Sequence, residues 1–377
     1  MIKRIINAKI ITDGQIISGM DILVKDGIIT DIIPSIGEKG DIDLKGKYIA
    51  PAFIDIHCHG GDGFEFVDGT EEAVLKASKI HSDHGTGILF PTISAYDFDT
   101  TYKSLEAVEK MASKCALRIA GVHLEGPYLA PSMCGAQDTT YIRKPDEKEY
   151  RGLVERFGSL ISRWTYAPEQ DSDGKFLKFL TENGIIPSMG HTAAEYDDVL
   201  RAFEGGNRLV THLYSCTSTI TRHQGFRHLG VIESAYLMDG MYVEAIADGC
   251  HLPKELLKMI IKIKGEDRVC LVTDAIRFGG MSNCESLEGG TDNIPYIVED
   301  GVAKLADRSA FAGSIATVDI LLKTALSAGC TLPGAVKMLS ETPATVMGLS
   351  KNGHIKKGYN AEFTVFDSDF NIESFKL

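Results

Sequence analysis

Two imidazoles separated by a single residue, His57 and His59, close a short apolar run. Side chains alternate along an extended strand, so the two share one face and can grip one cation, or they are two exposed loop histidines. Four further groups terminate comparable runs. They are Glu125 in His123-Leu124-Glu125-Gly126-Pro127-Tyr128, His191 in Gly190-His191-Thr192, His212 in Thr211-His212-Leu213 and Asp274 in Thr273-Asp274-Ala275. Imidazole and carboxylate together suit zinc or ferrous iron, and one carboxylate, such as that of Glu125, can bridge two cations. Each group also has a plainer reading: His191 and His212 as packed core histidines, Glu125 as a helix cap, Asp274 as a turn residue. Six such groups at strand ends are expected to converge on one or two divalent ions.

The elements that must position them are eight apolar runs alternating with amphipathic stretches from Tyr48 onward, the pattern of βα units. The runs are Phe53 to His57, Gly87 to Thr92, Ile119 to Glu125, Trp164 to Ala167, Ile185 to Met189, Leu209 to His212, Tyr242 to Ala247 and Val269 to Thr273. They point to a (β/α)8 barrel, whose sites are built at the C-terminal strand ends, and no Gly-x-Gly-x-x-Gly follows the first run to suggest a doubly wound sheet. Residues 49–352 are assigned to the barrel. Before it, short β-rich pieces are punctuated by the hairpin signals Asp13-Gly14 and Asp26-Gly27. After Gly353 the β texture returns in Ala361 to Asp367 and Ile372 to Phe375, so residues 1–48 and 353–377 are expected to form one small β-sandwich. Between barrel and tail, a Gly-rich stretch from Gly279 to Gly301 should hold a hairpin around Tyr296 to Leu305. Helices about Val318 to Ala328 and Pro333 to Ser340 follow.

Composition bounds the partners. The 377 residues carry 39 Lys and Arg against 52 Asp and Glu, a net charge of −13, so the basic footprint that nucleic acid or an anionic membrane requires is missing. No run of about 18 apolar residues suggests a membrane span. The eight cysteines, at 58, 115, 134, 216, 250, 270, 284 and 330, form no Cys-x-x-Cys pair, which reads as reduced thiols in the cytoplasm. Cys58 alternates away from its two histidine neighbours and reads as packing, His81 and His84 as helix-end residues facing the dipole, and Lys144 to Lys148 as a solvated helix start.

The motifs around Glu125, His191, His212 and Asp274, with Ala247-Asp248-Gly249 before His251 and Gly358-Tyr359-Asn360-Ala361-Glu362-Phe363 near the end, resemble the N-acetylglucosamine-6-phosphate deacetylase family of metal-dependent amidohydrolases over nearly the whole chain. The resemblance implies that Glu125, His191 and His212 hold a principal ion, Zn²⁺ or Fe²⁺. It makes His57 and His59 a second-ion pair that some members keep, Asp274 the catalytic acid/base and His251 a substrate contact. It places Ala136, Gln137, Ser215, Cys216, Phe311, Ala312 and Gly313 in substrate-contacting segments, and implies a homodimer acting on an amino sugar 6-phosphate. The chain departs from the family where Lys-Gly-Ala-His becomes Cys134-Gly135-Ala136-Gln137 and where Asn-Ala-Met becomes Ser215-Cys216-Thr217. The family's phosphate-binding arginine maps to Arg222 or Arg227. A hydrolase of another N-acyl or cyclic-amide substrate, lacking phosphate, is the second reading; a metal-bound regulatory protein without turnover is the third, and the retained Asp274 argues against it.

Overall fold

The computed structural model describes residues 2–37, 39–281, 295–373 and 375, together with the backbone of 288–289. Cys284 and much of the Gly-rich stretch after Met281 lie outside the described residues, as does Ser374 of the last expected strand.

Both hairpin signals produce two-residue turns. Asp13 and Gly14 (φ 48° and 73°) join Lys9–Thr12 to Gln15–Ile17, and Asp26 and Gly27 (φ 50° and 76°) join Met20–Lys25 to Ile28–Pro34. Positive φ at both central residues matches the twist of the flanking strands, and Gly together with Asp is the pair that tolerates it. One sheet has four strands, Ile28–Pro34, Met20–Lys25, Ile2–Ile6 and Ile42–Asp43. The other runs Ile372–Glu373, Phe363–Phe366, Tyr48–Pro51, Lys9–Thr12, Gln15–Ile17, so the two chain ends share a sheet. Ile5, Ile10, Ile22, Ile29, Ile49, Ile355 and Val365 form the buried core of this terminal unit.

Eight parallel strands make the barrel: β1 (Phe53–Cys58), β2 (Thr86–Ile93), β3 (Val122–Glu125), β4 (Ile161–Tyr166), β5 (Ile186–Met189), β6 (Leu209–Val210), β7 (Tyr242–Ile246) and β8 (Val269–Val272). Each is followed by a helix, α1 (Glu71–Asp83), α2 (Phe98–Met111), α3 (Glu147–Phe157), α4 (Lys175–Glu182), α5 (Tyr196–Glu204), α6 (Val231–Leu237), α7 (Lys254–Lys264) and α8 (Val318–Ser327). The ring closes at its mouth, where Asp274 N–H donates to the His57 carbonyl (2.9 Å) and the His59 and Gly60 N–H groups donate to the Ala275 carbonyl (2.7 and 2.9 Å). No described helix is long and apolar enough to cross a membrane.

The third run differs from expectation. Arg118–Ile119 and β3 are separate pieces, and between them Gly121 lies so close to Ser162 that a Cβ there would sit 1.8 Å from its hydroxyl. The expected hairpin is present as Tyr296–Glu299 and Val302–Leu305, flanked by Glu288–Gly289 on one side and by Phe311–Ser314 on the other, in a four-stranded sheet. The interior of the barrel departs from the usual filling of Val, Ile and Leu. Asp55, His57, His123, Arg163, Thr165, Ser188, Thr211, Glu244 and Thr273 are all fully buried there.

Candidate active site

Each ligand candidate stands where a barrel strand gives way to its loop. His191, His212 and Asp274 adopt φ of 47°, 28° and 48°, left-handed values that cost a non-glycine residue about 1–3 kcal/mol and that turn the chain sharply at the mouth. Glu125 is anchored from behind. Trp164 of β4 stacks on Tyr128, and its indole N–H donates to the Gly126 carbonyl at 2.7 Å, which fixes the chain just after Glu125.

Glu125 is the centre of the constellation. Its Oε1 lies 2.9 Å from His212 Nε2, 3.2 Å from His191 Nε2 and 3.4 Å from His57 Nε2, and its Oε2 lies 3.2 Å from His59 Nε2. Within each histidine pair, His57 with His59 and His191 with His212, the Nε2 atoms are 3.2 Å apart. Asp274 Oδ1 sits 3.2 Å from both His57 and His59. Two nitrogens bound tetrahedrally to one Zn²⁺ at 2.0–2.1 Å are about 3.3 Å apart, so both spacings fit ligands of a common ion. Three of the four outer ring nitrogens fit as well: His57 Nδ1 donates to Glu244 Oε2 (3.0 Å) and His191 Nδ1 to the Met133 carbonyl (2.8 Å), while Ser94 Oγ meets His59 Nδ1 (2.9 Å); His212 Nδ1 is buried without a partner among the described residues. A proton held on Nδ1 leaves the Nε2 lone pair facing inward.

Electrostatics agree with this donor set. Burial pushes the His57 imidazole down, yet the Asp274, Glu244 and Glu125 carboxylates outweigh it and hold it well above its ordinary value. Burial likewise opposes the charged form of His59, but hydrogen bonds to Asp274 and Glu125 raise it to about 9. Burial would raise Glu125, and the surrounding imidazoles keep it well below the usual carboxylate range. The centre therefore attracts positive charge, and protons compete with metal for the same nitrogens. Uptake of Zn²⁺ by the metal-free protein should release protons, with apparent affinity climbing as pH rises toward about 9. Stability without metal should run the other way: the raised His59 value stabilises fully below about pH 6.5 and is lost as pH rises through about 9. Titration calorimetry in buffers of differing protonation enthalpy measures the first and thermal unfolding in chelator the second. Proton-independent uptake would remove these nitrogens from the ligand set.

A cavity of about 300 Å³ opens onto Glu125, His59, His191, His212 and Asp274. Its walls include Ala136, Gln137, Ser215, Cys216, His251, Phe311, Ala312 and Gly313. His251 Nδ1 pairs with Asp248 Oδ2 at 2.7 Å and the ring meets Phe311 edge-on, which leaves Nε2 as the nitrogen available to a ligand. Gln137 is tied on both ends of its amide: Nε2 donates to Glu125 Oε2 (2.9 Å) and Oε1 accepts from Ala95 N–H (2.8 Å), so it braces the central carboxylate as well as lining the pocket.

Arg222 and Arg227 stand apart from these walls. They face each other across an exposed hairpin, Thr221–His223 with Phe226–His228, whose strands pair only with one another. His223 and His228 on that hairpin meet the Glu195 carboxylate at 2.6 and 3.3 Å. Cys58 turns away from the centre as expected, but its sulfur lies 3.1 Å from His81 Nε2. His81 stands in the last turn of α1, as expected, but its ring is fully buried and donates to the Gly60 carbonyl. His123 lies under the site, bonded to Thr92 and Thr165 and edge-on to the His57 ring.

Residues 48–376 match the sequence profile of the amidohydrolase family. The chain belongs to that family. It is 30% identical over 355 residues to N-acetylglucosamine-6-phosphate deacetylase of Lysinibacillus sphaericus, spanning 92% of this chain and 89% of the relative. The crystal structure of N-acetylglucosamine-6-phosphate deacetylase from Pasteurella multocida superimposes with a TM-score of 0.91 at 26% identity, over 99% of this chain and 97% of that one. An aspartate-to-alanine mutant of the Mycobacterium smegmatis enzyme, in complex with N-acetyl-D-glucosamine-6-phosphate, superimposes with a TM-score of 0.90 at 25% identity, over 98% of this chain and 96% of that one.

Sequence reasoning missed several buried groups that support this amidohydrolase site, chiefly Asp55, Arg163 and Glu244. A signal was present: Asp55 and Glu244 interrupt the apolar runs of β1 and β7, and Arg163 directly precedes the β4 run. A charged residue inside a buried strand must find a partner there.

Proposed function

We propose that this amidohydrolase removes the N-acetyl group from an amino sugar 6-phosphate, most directly converting N-acetylglucosamine 6-phosphate to glucosamine 6-phosphate and acetate. The observation that carries the reading is Asp274 on the pocket floor, its Oδ1 3.2 Å from two imidazoles of the Glu125 centre. Glu125, His191 and His212 would hold the principal ion, and His57 and His59 a second, with Zn²⁺ or Fe²⁺ suited to the donors. When bound, a divalent ion polarises the acetyl carbonyl and lowers the pKa of water from about 15.7 to about 7.

Asp274 accepts the proton of the attacking water and returns it to the sugar nitrogen as the carbon–nitrogen bond breaks, since the amine otherwise leaves as a poor anion. His251, oriented by Asp248, donates from Nε2 to a substrate oxygen. Ala136, Gln137, Ser215, Cys216, Phe311, Ala312 and Gly313 shape the sugar's surroundings. The protein is proposed to act in the cytoplasm as a homodimer, its two units meeting at about 352–353 and just after Tyr48–Pro51, which lies in the terminal sheet rather than ending the unit at 48.

Phosphate needs charge-assisted donors, and we assign them to Arg222 or Arg227. One observation favours the second reading, hydrolysis of an N-acyl or cyclic-amide substrate without phosphate: among the described residues the pocket wall holds no Lys or Arg, but does hold Glu65 and Asp138. Acetate release from phosphorylated and unphosphorylated N-acetyl sugars distinguishes the two. The phosphorylated sugar is expected to have the lower KM, and Arg222→Ala or Arg227→Ala should raise that KM while barely altering hydrolysis of the unphosphorylated sugar. Equal KM values in the parent would leave N-acyl hydrolysis standing and remove the 6-phosphate.

A further inference from the structure

The Arg163–Glu244 pair occupies the barrel interior beneath the metal centre, and both side chains are completely buried. Burying an ion pair in place of well-packed apolar side chains is often neutral or destabilising by about 1–4 kcal/mol, so filling the barrel does not by itself account for it. Its hydrogen bonds point to another task. Glu244 Oε2 accepts from His57 Nδ1–H at 3.0 Å and from the backbone N–H of His212 at 3.1 Å, one residue from each histidine pair. Its other oxygen is held by Arg163, which also donates to Ser188 Oγ (3.0 Å), the Ile56 carbonyl (3.2 Å) and Thr211 Oγ1 (2.8 Å). Arg163 thus reaches the residues directly before His57 and His212, on β1 and after β6, while standing on β4 itself.

We propose that Glu244, locked by Arg163, is a positioning residue that joins the two halves of the metal centre. It keeps His57 in the tautomer whose Nε2 lone pair faces the ion, and it fixes the spacing between the His57–His59 pair and the His191–His212 pair. The inference rests on the metal reading of the site, and the parent protein tests that reading separately: a parent that binds no divalent ion defeats the metal site itself.

The decisive comparison uses two double variants, Arg163→Met with Glu244→Gln and Arg163→Met with Glu244→Leu. Neither leaves a buried charge unpaired, and only the glutamine keeps an acceptor for His57 and the His212 amide. Competition with a chelator on the Zn²⁺-loaded proteins should show the glutamine variant within about threefold of parental affinity and the leucine variant weaker by about ten- to a hundredfold, the range for lost outer partners of a ligand. Equal affinities in the two variants would overturn the proposal. Should the leucine variant not fold, the ring ¹⁵N shifts of His57 in the metal-free parent decide the question. A protonated Nδ1 with unprotonated Nε2 as pH rises supports the proposal, and the opposite tautomer overturns it.

Discussion

Asp274→Asn should lower turnover by at least about a hundredfold in the chemical step, because the amide keeps the shape of the carboxyl but cannot take or return a proton. The structure refines what accompanies that loss. Asp274 lies 3.2 Å from both His57 and His59, so metal held at that pair should weaken, whereas metal held by Glu125, His191 and His212 should stay. Metal analysis alongside single-turnover rates checks both halves. A variant within tenfold of the parent, with metal content unchanged, would mean that another group serves as the base. His251 would then be the first to test, since it lines the same cavity and its Nδ1 is already committed to Asp248.

Glu125→Ala should have the widest effect, because one carboxylate contacts all four ring nitrogens of the centre. Removing it should abolish retention of metal through gel filtration and take turnover to background. Metal that binds only the folded state at a thousandfold excess over Kd stabilises it by about 4.1 kcal/mol, and this difference between loaded and chelated protein should vanish in the variant. Thermal unfolding with and without Zn²⁺ measures it. A variant still stabilised by Zn²⁺ would place the ion away from Glu125.

Much of this was legible in the chain because the relevant signals are local. The i, i+2 spacing of His57 and His59 needs only strand alternation, and both Asp-Gly turns need only the backbone preferences of two residues. The eight runs each carried their own apolar pattern, so the barrel, the strand ends and the six groups upon them followed from short windows. Composition settled as much about net charge.

Tertiary structure alone decided how those groups meet. That Glu125 would face two histidine pairs, with Asp274 against one of them, depends on closing the ring between β8 and β1, a contact some 220 residues apart in sequence that no window contains. Packing likewise made Gln137 a brace for Glu125, buried His81 against Cys58, and set Arg222 and Arg227 on a hairpin outside the cavity walls. It also brought Arg163, Glu244 and Asp55 into a lumen that such barrels usually fill with Val, Ile and Leu. A residue's type fixes which bonds it can make, but which partner it finds across a barrel is set by strand register and by the need of every buried charge for a counter-charge or hydrogen bond.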